Sequence, residues 1–114
     1  MSSRFFITLP NPAAARGADP ELSFQAHGAD AFARELREAL ATPHLFERWR
    51  TRQDDPDDVD PHLGEVDPDA RVRARQTDLA IDLEVDTTLP GAILHQRLRW
   101  LAGSGWQLRD VSGA

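Results

Sequence analysis

The sequence predicts an α+β domain in which an antiparallel sheet of four to five strands carries two main helices on one face. Residues 78–86 alternate between large apolar side chains and polar or small ones, which is typical of a strand with one buried and one solvent-exposed face. Residues 29–41 repeat their apolar side chains at the helical period, which predicts an amphipathic helix. A chain of 114 residues can bury a core of its own, so one domain over residues 1–114 is expected.

Two strands are predicted ahead of that helix. Residues 4–9 alternate and end at Pro10, and residues 22–27 alternate again after a loop rich in proline and glycine. The side chains expected to face the core are Phe5, Ile7, Leu9, Leu22, Phe24 and Ala26.

The helix at residues 29–41 follows Gly28 and is predicted to end at Thr42, because Pro43 disfavours helical geometry at the residue before it. A short second helix is predicted at residues 44–50. The apolar arc of the first helix consists of Ala29, Phe32, Ala33, Leu36, Ala39 and Leu40.

Residues 53–70, called here the acidic segment, differ in composition from the rest of the chain. Eight of the 19 acidic residues and three of the eight prolines lie there, without a single arginine. Their few apolar side chains cannot offset an ordering cost of about 1–2 kcal/mol per residue. The sequence therefore predicts a mobile, proline-rich acidic loop inside a single domain whose remainder is close to neutral.

A strand at residues 71–76 is predicted to form a hairpin with the strand at residues 78–86 through a turn at Gln76 and Thr77. A helix opened by Asp67 and Pro68 is the competing prediction for this stretch. The hairpin register pairs Val72 with Ile81, Ala74 with Leu79, Arg75 with Asp78 and Arg71 with Asp82.

The last elements are a helix at residues 90–102 and a closing strand at residues 106–111. Arg97 falls inside the apolar arc of this helix, so its stem is expected on the core with the guanidinium reaching outward, unless it is a partly buried anion ligand. Counted from residue 22, the elements follow the ferredoxin-like βαββαβ order, with an additional N-terminal strand in front.

Composition removes several classes of chemistry. The chain contains no cysteine, and its 13 basic residues are all arginine, so thiolate catalysis, disulfides, Schiff bases and a P-loop lysine are excluded. Nucleophile and metal motifs fail on spacing, an EF-hand pattern in the acidic segment included, and no cofactor or metal is expected. No apolar run approaches the roughly 18 residues of a membrane span, and a cytoplasmic location is expected.

These observations favour a non-enzymatic protein-binding or adaptor module over an enzyme. The acidic segment would dock a basic partner, and a face or edge of the sheet would pair with a second copy of the chain. Arginines cluster on both sides of the acidic segment, within residues 48–52 and 71–75, and the acids between them would compete with phosphates for these side chains. Together with a net charge of −6, this argues against nucleic acid as the partner. The candidate partner-binding residues are Asp54, Asp55, Asp57, Asp58, Asp60, Trp49 and Trp100.

The alternative function is a small-ligand or anion-binding domain. Free backbone N–H groups at the start of the helix after Gly28 could hold an anion, with His27 as a nearby proton donor or acceptor. The candidate ligand-binding residues on this interpretation are His27, Asp30 and Arg97.

Overall fold

The computed structural model describes residues 2–25 and 27–113. It is an α+β domain with three α-helices and one four-stranded antiparallel sheet whose strand order is β2-β3-β1-β4. The strands are β1 (Ser3–Leu9), β2 (Arg71–Thr77), β3 (Ala80–Thr87) and β4 (Gln107–Gly113), and the helices are α1 (Ala29–Ala41), α2 (His44–Arg50) and α3 (Gly91–Ala102).

The two central strands, β1 and β3, supply the sheet side of the core. Their predicted alternation is confirmed, because every second residue of each strand is buried. The buried side chains face each other across the ladder in the pairs Phe5–Val85, Ile7–Leu83 and Leu9–Ile81. The predicted buried arc of α1 is confirmed residue by residue. The apolar arc of α3 is buried too, and it consists of Ile93, Leu94, Leu98, Leu101 and Ala102.

The predicted strand at residues 22–27 is wrong. Leu22 and Phe24 are buried, but the Leu22 N–H donates to the carbonyl of Asp19 in a turn and the Phe24 N–H donates to the carbonyl of Leu101. These amides therefore have no neighbouring strand to bond to, and Ala26 lies outside the described residues. The predicted N-terminal strand is present as β1, and the strand missing from the described residues is the one expected directly before α1. The element order is β-α-α-β-β-α-β, and the expected ferredoxin-like order with an additional N-terminal strand is not confirmed.

The β2–β3 hairpin is confirmed and the competing helix is wrong, but the predicted register is wrong too. The turn lies at Asp78 and Leu79, two residues later than expected, and Val72 pairs with Val85. Asp78 adopts a left-handed backbone with φ of 58°, which a short aspartate tolerates better than Gln76 or Thr77 would. The observed register also places three arginines opposite three acids: Arg71–Asp86, Arg73–Glu84 and Arg75–Asp82.

Within the acidic segment the chain forms two short 3₁₀ turns, Pro56–Asp58 and Pro61–Gly64. No helix in the described part of the chain is long and apolar enough to cross a membrane.

Candidate functional site

The C-terminal part of the acidic segment is held against the body of the domain by Asp67. Its N–H donates to the Leu40 carbonyl at 2.7 Å, which fixes it to the end of α1. Asp67 is only 6% exposed, and its carboxylate accepts hydrogen bonds from the Thr87 hydroxyl at 2.8 Å and from the Thr88 N–H at 3.0 Å. Desolvation acts against the charged form, but these hydrogen bonds and one from the Asp69 N–H hold the pKa of Asp67 below its ordinary value.

Arg97 also joins the acidic segment to α1. Its side chain is fully buried, with Nε donating to the Ala39 carbonyl at 3.2 Å and Nη2 donating to the Glu65 carbonyl at 3.0 Å. The guanidinium lies over the Trp100 ring, 5.2 Å from its centroid. Burial lowers the pKa of Arg97 to about 10, so the group stays charged at neutral pH. The prediction that the guanidinium reaches outward is wrong, because backbone carbonyls inside the fold accept hydrogen bonds from it.

The five aspartates predicted to bind a partner lie in the N-terminal part of the acidic segment, at residues 54–60, and all are exposed. Within residues 2–25 and 27–113, no ion pair is formed by Asp54, Asp55, Asp57 or Asp58. The arginines that flank the segment either pair with acids elsewhere in the fold or stay exposed. Asp60 accepts from the N–H of His62 at the start of the second 3₁₀ turn. The surface therefore carries negative charge that the body of the domain does not neutralise. The predicted mobility of the segment stays a prediction.

The residues predicted to form an anion site are not brought together. His27 and Asp30 are exposed at the start of α1, whereas Arg97 binds the Ala39 carbonyl near its end. Asp30 and Ala39 are nine helical steps apart, which corresponds to about 14 Å along the axis of α1. Arg97 and the start of α1 therefore belong to different parts of the fold.

The two tryptophans predicted as interface anchors stack on each other. The ring centroids of Trp49 and Trp100 are 4.9 Å apart with 25° between the planes, and both residues are half-buried. Because Trp100 also covers the Arg97 guanidinium, this pair joins α2 to α3 above the core.

The sheet face that points away from the helices carries paired charges. Arg4 donates to both carboxylate oxygens of Asp86, at 2.7 and 3.2 Å, and Arg73 lies 3.4 Å from the same carboxylate. The hydrogen bond from Arg4 is the main reason that the pKa of Asp86 is below its ordinary value. These arginines are occupied by neighbouring acids, so the face does not present a row of free guanidiniums.

The edge strand β4 is the surface that sequence reasoning did not single out. All seven of its residues are exposed, and among them Leu108 and Val111 keep 41% and 47% of their surface in solvent. A bulge at Arg109 shifts the pairing with β1, so that Leu108 lies opposite Ile7 and Val111 lies opposite Phe5. Both apolar side chains are therefore on the helix-bearing side of the sheet. The spacing of three between Leu108 and Val111 breaks the two-residue period and was the available signal for this bulge.

A cleft of about 200 Å³ lies between residues 21–25, α1 and α2, and its lining includes Glu35, Glu38, His44 and Arg48. Its charged groups already make local contacts, since Glu35 accepts from the Gln25 N–H and Glu38 lies 3.4 Å from His44 Nδ1. No group of three His, Asp or Glu side chains in the described ranges could hold a metal ion.

Comparisons of the chain with protein-family models, with curated proteins and with solved structures found no match. The function is therefore inferred from two exposed surfaces, the edge strand β4 and the aspartates at residues 54–60 of the acidic segment.

Proposed function

We propose that this chain is a non-enzymatic protein-binding module that receives an extended strand of its partner on the edge of β4. The observation that carries the proposal is the exposure of β4 along its whole length, together with the two apolar side chains, Leu108 and Val111, that it leaves in water. In the described sheet β4 is an outer strand with β1 as its neighbour.

An outer strand offers a row of backbone N–H and C=O groups to another chain. Hydrogen bonding to such an edge supplies affinity, and side chains on alternate positions supply specificity. Bulges usually protect an edge from pairing, but the bulge at Arg109 also places Leu108 and Val111 on one side, where a partner strand can cover both. Burial of this apolar surface would stabilise the complex beyond the backbone hydrogen bonds.

A photo-crosslinking amino acid at position 108 tests the proposal in cells. The matched control carries the same group at Leu79, which is 79% exposed in the β2–β3 turn. We expect a discrete adduct from position 108, its loss when Val111→Arg is added, and no adduct from position 79. Equal labelling from both positions, or an adduct that ignores Val111→Arg, would contradict binding at β4.

A second binding surface is proposed for a basic partner, namely the exposed carboxylates of the acidic segment. The support is that Asp57 and Asp58 find no cationic partner within the described residues. Fluorescence anisotropy with an arginine-rich peptide would test it, comparing Asp57→Asn/Asp58→Asn with the equally charged control Asp30→Asn/Glu38→Gln. Weaker, less salt-dependent binding by the first variant alone is expected; equal loss in both variants would show a non-specific charge effect.

A ferredoxin-like relationship is also proposed for the architecture. Its support is that each helical crossover joins two strands that flank a third, antiparallel strand: β1 and β2 flank β3, and β3 and β4 flank β1. Helix α2 and the two 3₁₀ turns are additions to that simple pattern.

A further inference from the structure

We infer that the occupant of the β4 edge is β4 of a second copy of this chain, paired antiparallel with Arg109 of each copy opposite Asp110 of the partner copy. The inference rests on the proposed function and names the partner and the register. A two-fold axis would pass between the two strands, and the same surface would be used by both copies.

The sequence of β4 fits this register and not the neighbouring ones. When Arg109 lies opposite Asp110, Leu108 lies opposite Val111 and Gln107 lies opposite Ser112, and by symmetry each pair occurs twice. A shift of one residue in either direction sets Arg109 against Arg109 or Asp110 against Asp110 at the axis. A shift of two residues sets an apolar side chain opposite a charged one. Only the first register satisfies charge and apolar contact together.

The bulge makes the register consistent with the two faces of the sheet. Residues that face each other across an antiparallel ladder point to the same side. Leu108 and Val111 both lie on the helix-bearing side because the extra residue, Arg109, separates them by three positions instead of two or four. Without the bulge they would point to opposite sides and could not cover each other across the two-fold axis.

Pairing would join two four-stranded sheets into one continuous eight-stranded sheet, with Leu108 of each copy packed on Val111 of the other. The paired segment is short, so the contact belongs to the small, weak class of interfaces. We therefore expect a reversible dimer that becomes detectable only when the protein concentration is raised toward about 1 mM.

Charge reversal tests the register directly. Sedimentation velocity would compare wild type, Arg109→Asp, Asp110→Arg and a one-to-one mixture of the two variants, with circular dichroism as the folding control. Each variant alone places like charges opposite each other, so its dimerisation should weaken at least tenfold. In the mixture every pair at these positions is again attractive, so dimers should return. Monomers in the mixture, or dimerisation of either variant at wild-type strength, would overturn the register.

A covalent test does not depend on the strength of the dimer. The chain has no cysteine, so Leu108→Cys/Val111→Cys introduces its only thiols. Opposite Cα atoms in an antiparallel ladder are about 4.5–5.5 Å apart, which suits a disulfide, whereas positions three apart in one extended strand are too distant. Mild oxidation should give a disulfide-linked dimer, and the control Leu79→Cys/Val111→Cys should give far less.

The two proposals fail in different ways. Self-pairing is overturned if the wild-type chain stays monomeric at about 1 mM and the Leu108→Cys/Val111→Cys variant forms no disulfide-linked dimer. If position 108 then still gives an adduct with a mass other than two copies of the chain, binding at β4 stands. If position 108 gives no adduct at all, both proposals fall.

Discussion

The hydroxyl of Thr87 donates a 2.8 Å hydrogen bond to the buried carboxylate of Asp67, which lies 20 residues earlier in the chain. The same hydroxyl accepts from the Leu89 N–H at 3.1 Å, so the end of β3, the start of α3 and the acidic segment share one network. The charge of Asp67 therefore serves to hold a segment in place, while its exposed neighbours remain available to partners.

Asp67→Ala should destabilise the domain by about 1–3 kcal/mol, because it leaves the Thr87 hydroxyl and the Thr88 N–H without their acceptor. Asp69→Ala is the matched control two residues away, at an exposed side chain, and should change stability by less than about 0.5 kcal/mol. Urea unfolding followed by tryptophan fluorescence measures both. Equal effects of the two substitutions would show that the network contributes nothing specific.

Stability should fall on acidification, and Asp67 should account for part of the fall. The folded-state pKa of Asp67 and of Asp86 is below the ordinary value, so their contribution is complete above about pH 4–5 and is lost as the pH falls through the folded pKa. Urea midpoints between pH 6 and pH 2.5 should therefore drop less steeply for Asp67→Ala than for wild type. Parallel curves would contradict this assignment.

The elements that the sequence predicted well are those in which one period fixes both local structure and burial. The alternation in β1 and β3 and the helical arc of α1 each match a single buried face. At residues 22–25 the same alternation led to a wrong strand, because Leu22 and Phe24 are buried by a turn and by the end of α3. Alternation reports which side chains are buried, and a strand also needs a neighbour for its amides.

The candidate sites were less predictable, because their partners are distant in sequence. The position of Arg97 in an apolar arc was visible, but its acceptors are backbone carbonyls 58 and 32 residues away, which no side-chain pattern encodes. The hairpin register was missed because Asp78 was assigned to β3 and not to the turn. In β4, Leu108 and Val111 lie on the same face only because of the bulge at Arg109, which changes the face that each later residue occupies.

Asp78→Val should lower stability by about 1–2 kcal/mol, because a β-branched side chain is strained at the φ of 58° that the turn requires. Asp78→Gly should be close to neutral, since glycine reaches this conformation without strain but gains more freedom in the unfolded chain. Urea unfolding compares the two variants, and equal m-values would show that only stability has changed. A valine variant as stable as the glycine variant would place the turn elsewhere.

Arg97→Met should destabilise the domain by about 1–3 kcal/mol, because the Ala39 and Glu65 carbonyls lose their donors. The loss of stability should be greatest where Arg97 joins the end of α1 to the acidic segment. Hydrogen exchange of the Asp67 amide, which bonds to Leu40, should therefore accelerate more than exchange of the Val85 amide in β3. Arg99→Met, at an exposed position on the same helix, is the control. Uniform acceleration at all amides would show only global destabilisation.

The two parts of the acidic segment should differ in backbone motion. Residues 65–70 are tied to the body by the hydrogen bonds of Asp67 and by the contact of Arg97 with the Glu65 carbonyl, whereas the four aspartates within residues 54–58 are exposed and form no ion pair in the described structure. Heteronuclear ¹⁵N NOE values should therefore be near those of the sheet for residues 65–70 and clearly lower for residues 54–58. Millimolar calcium should leave both groups of peaks in place, because the described carboxylates do not converge on a common point. Uniformly high NOE values would show an ordered acidic platform, and a saturable calcium shift would show that the aspartates bind a cation before any protein partner.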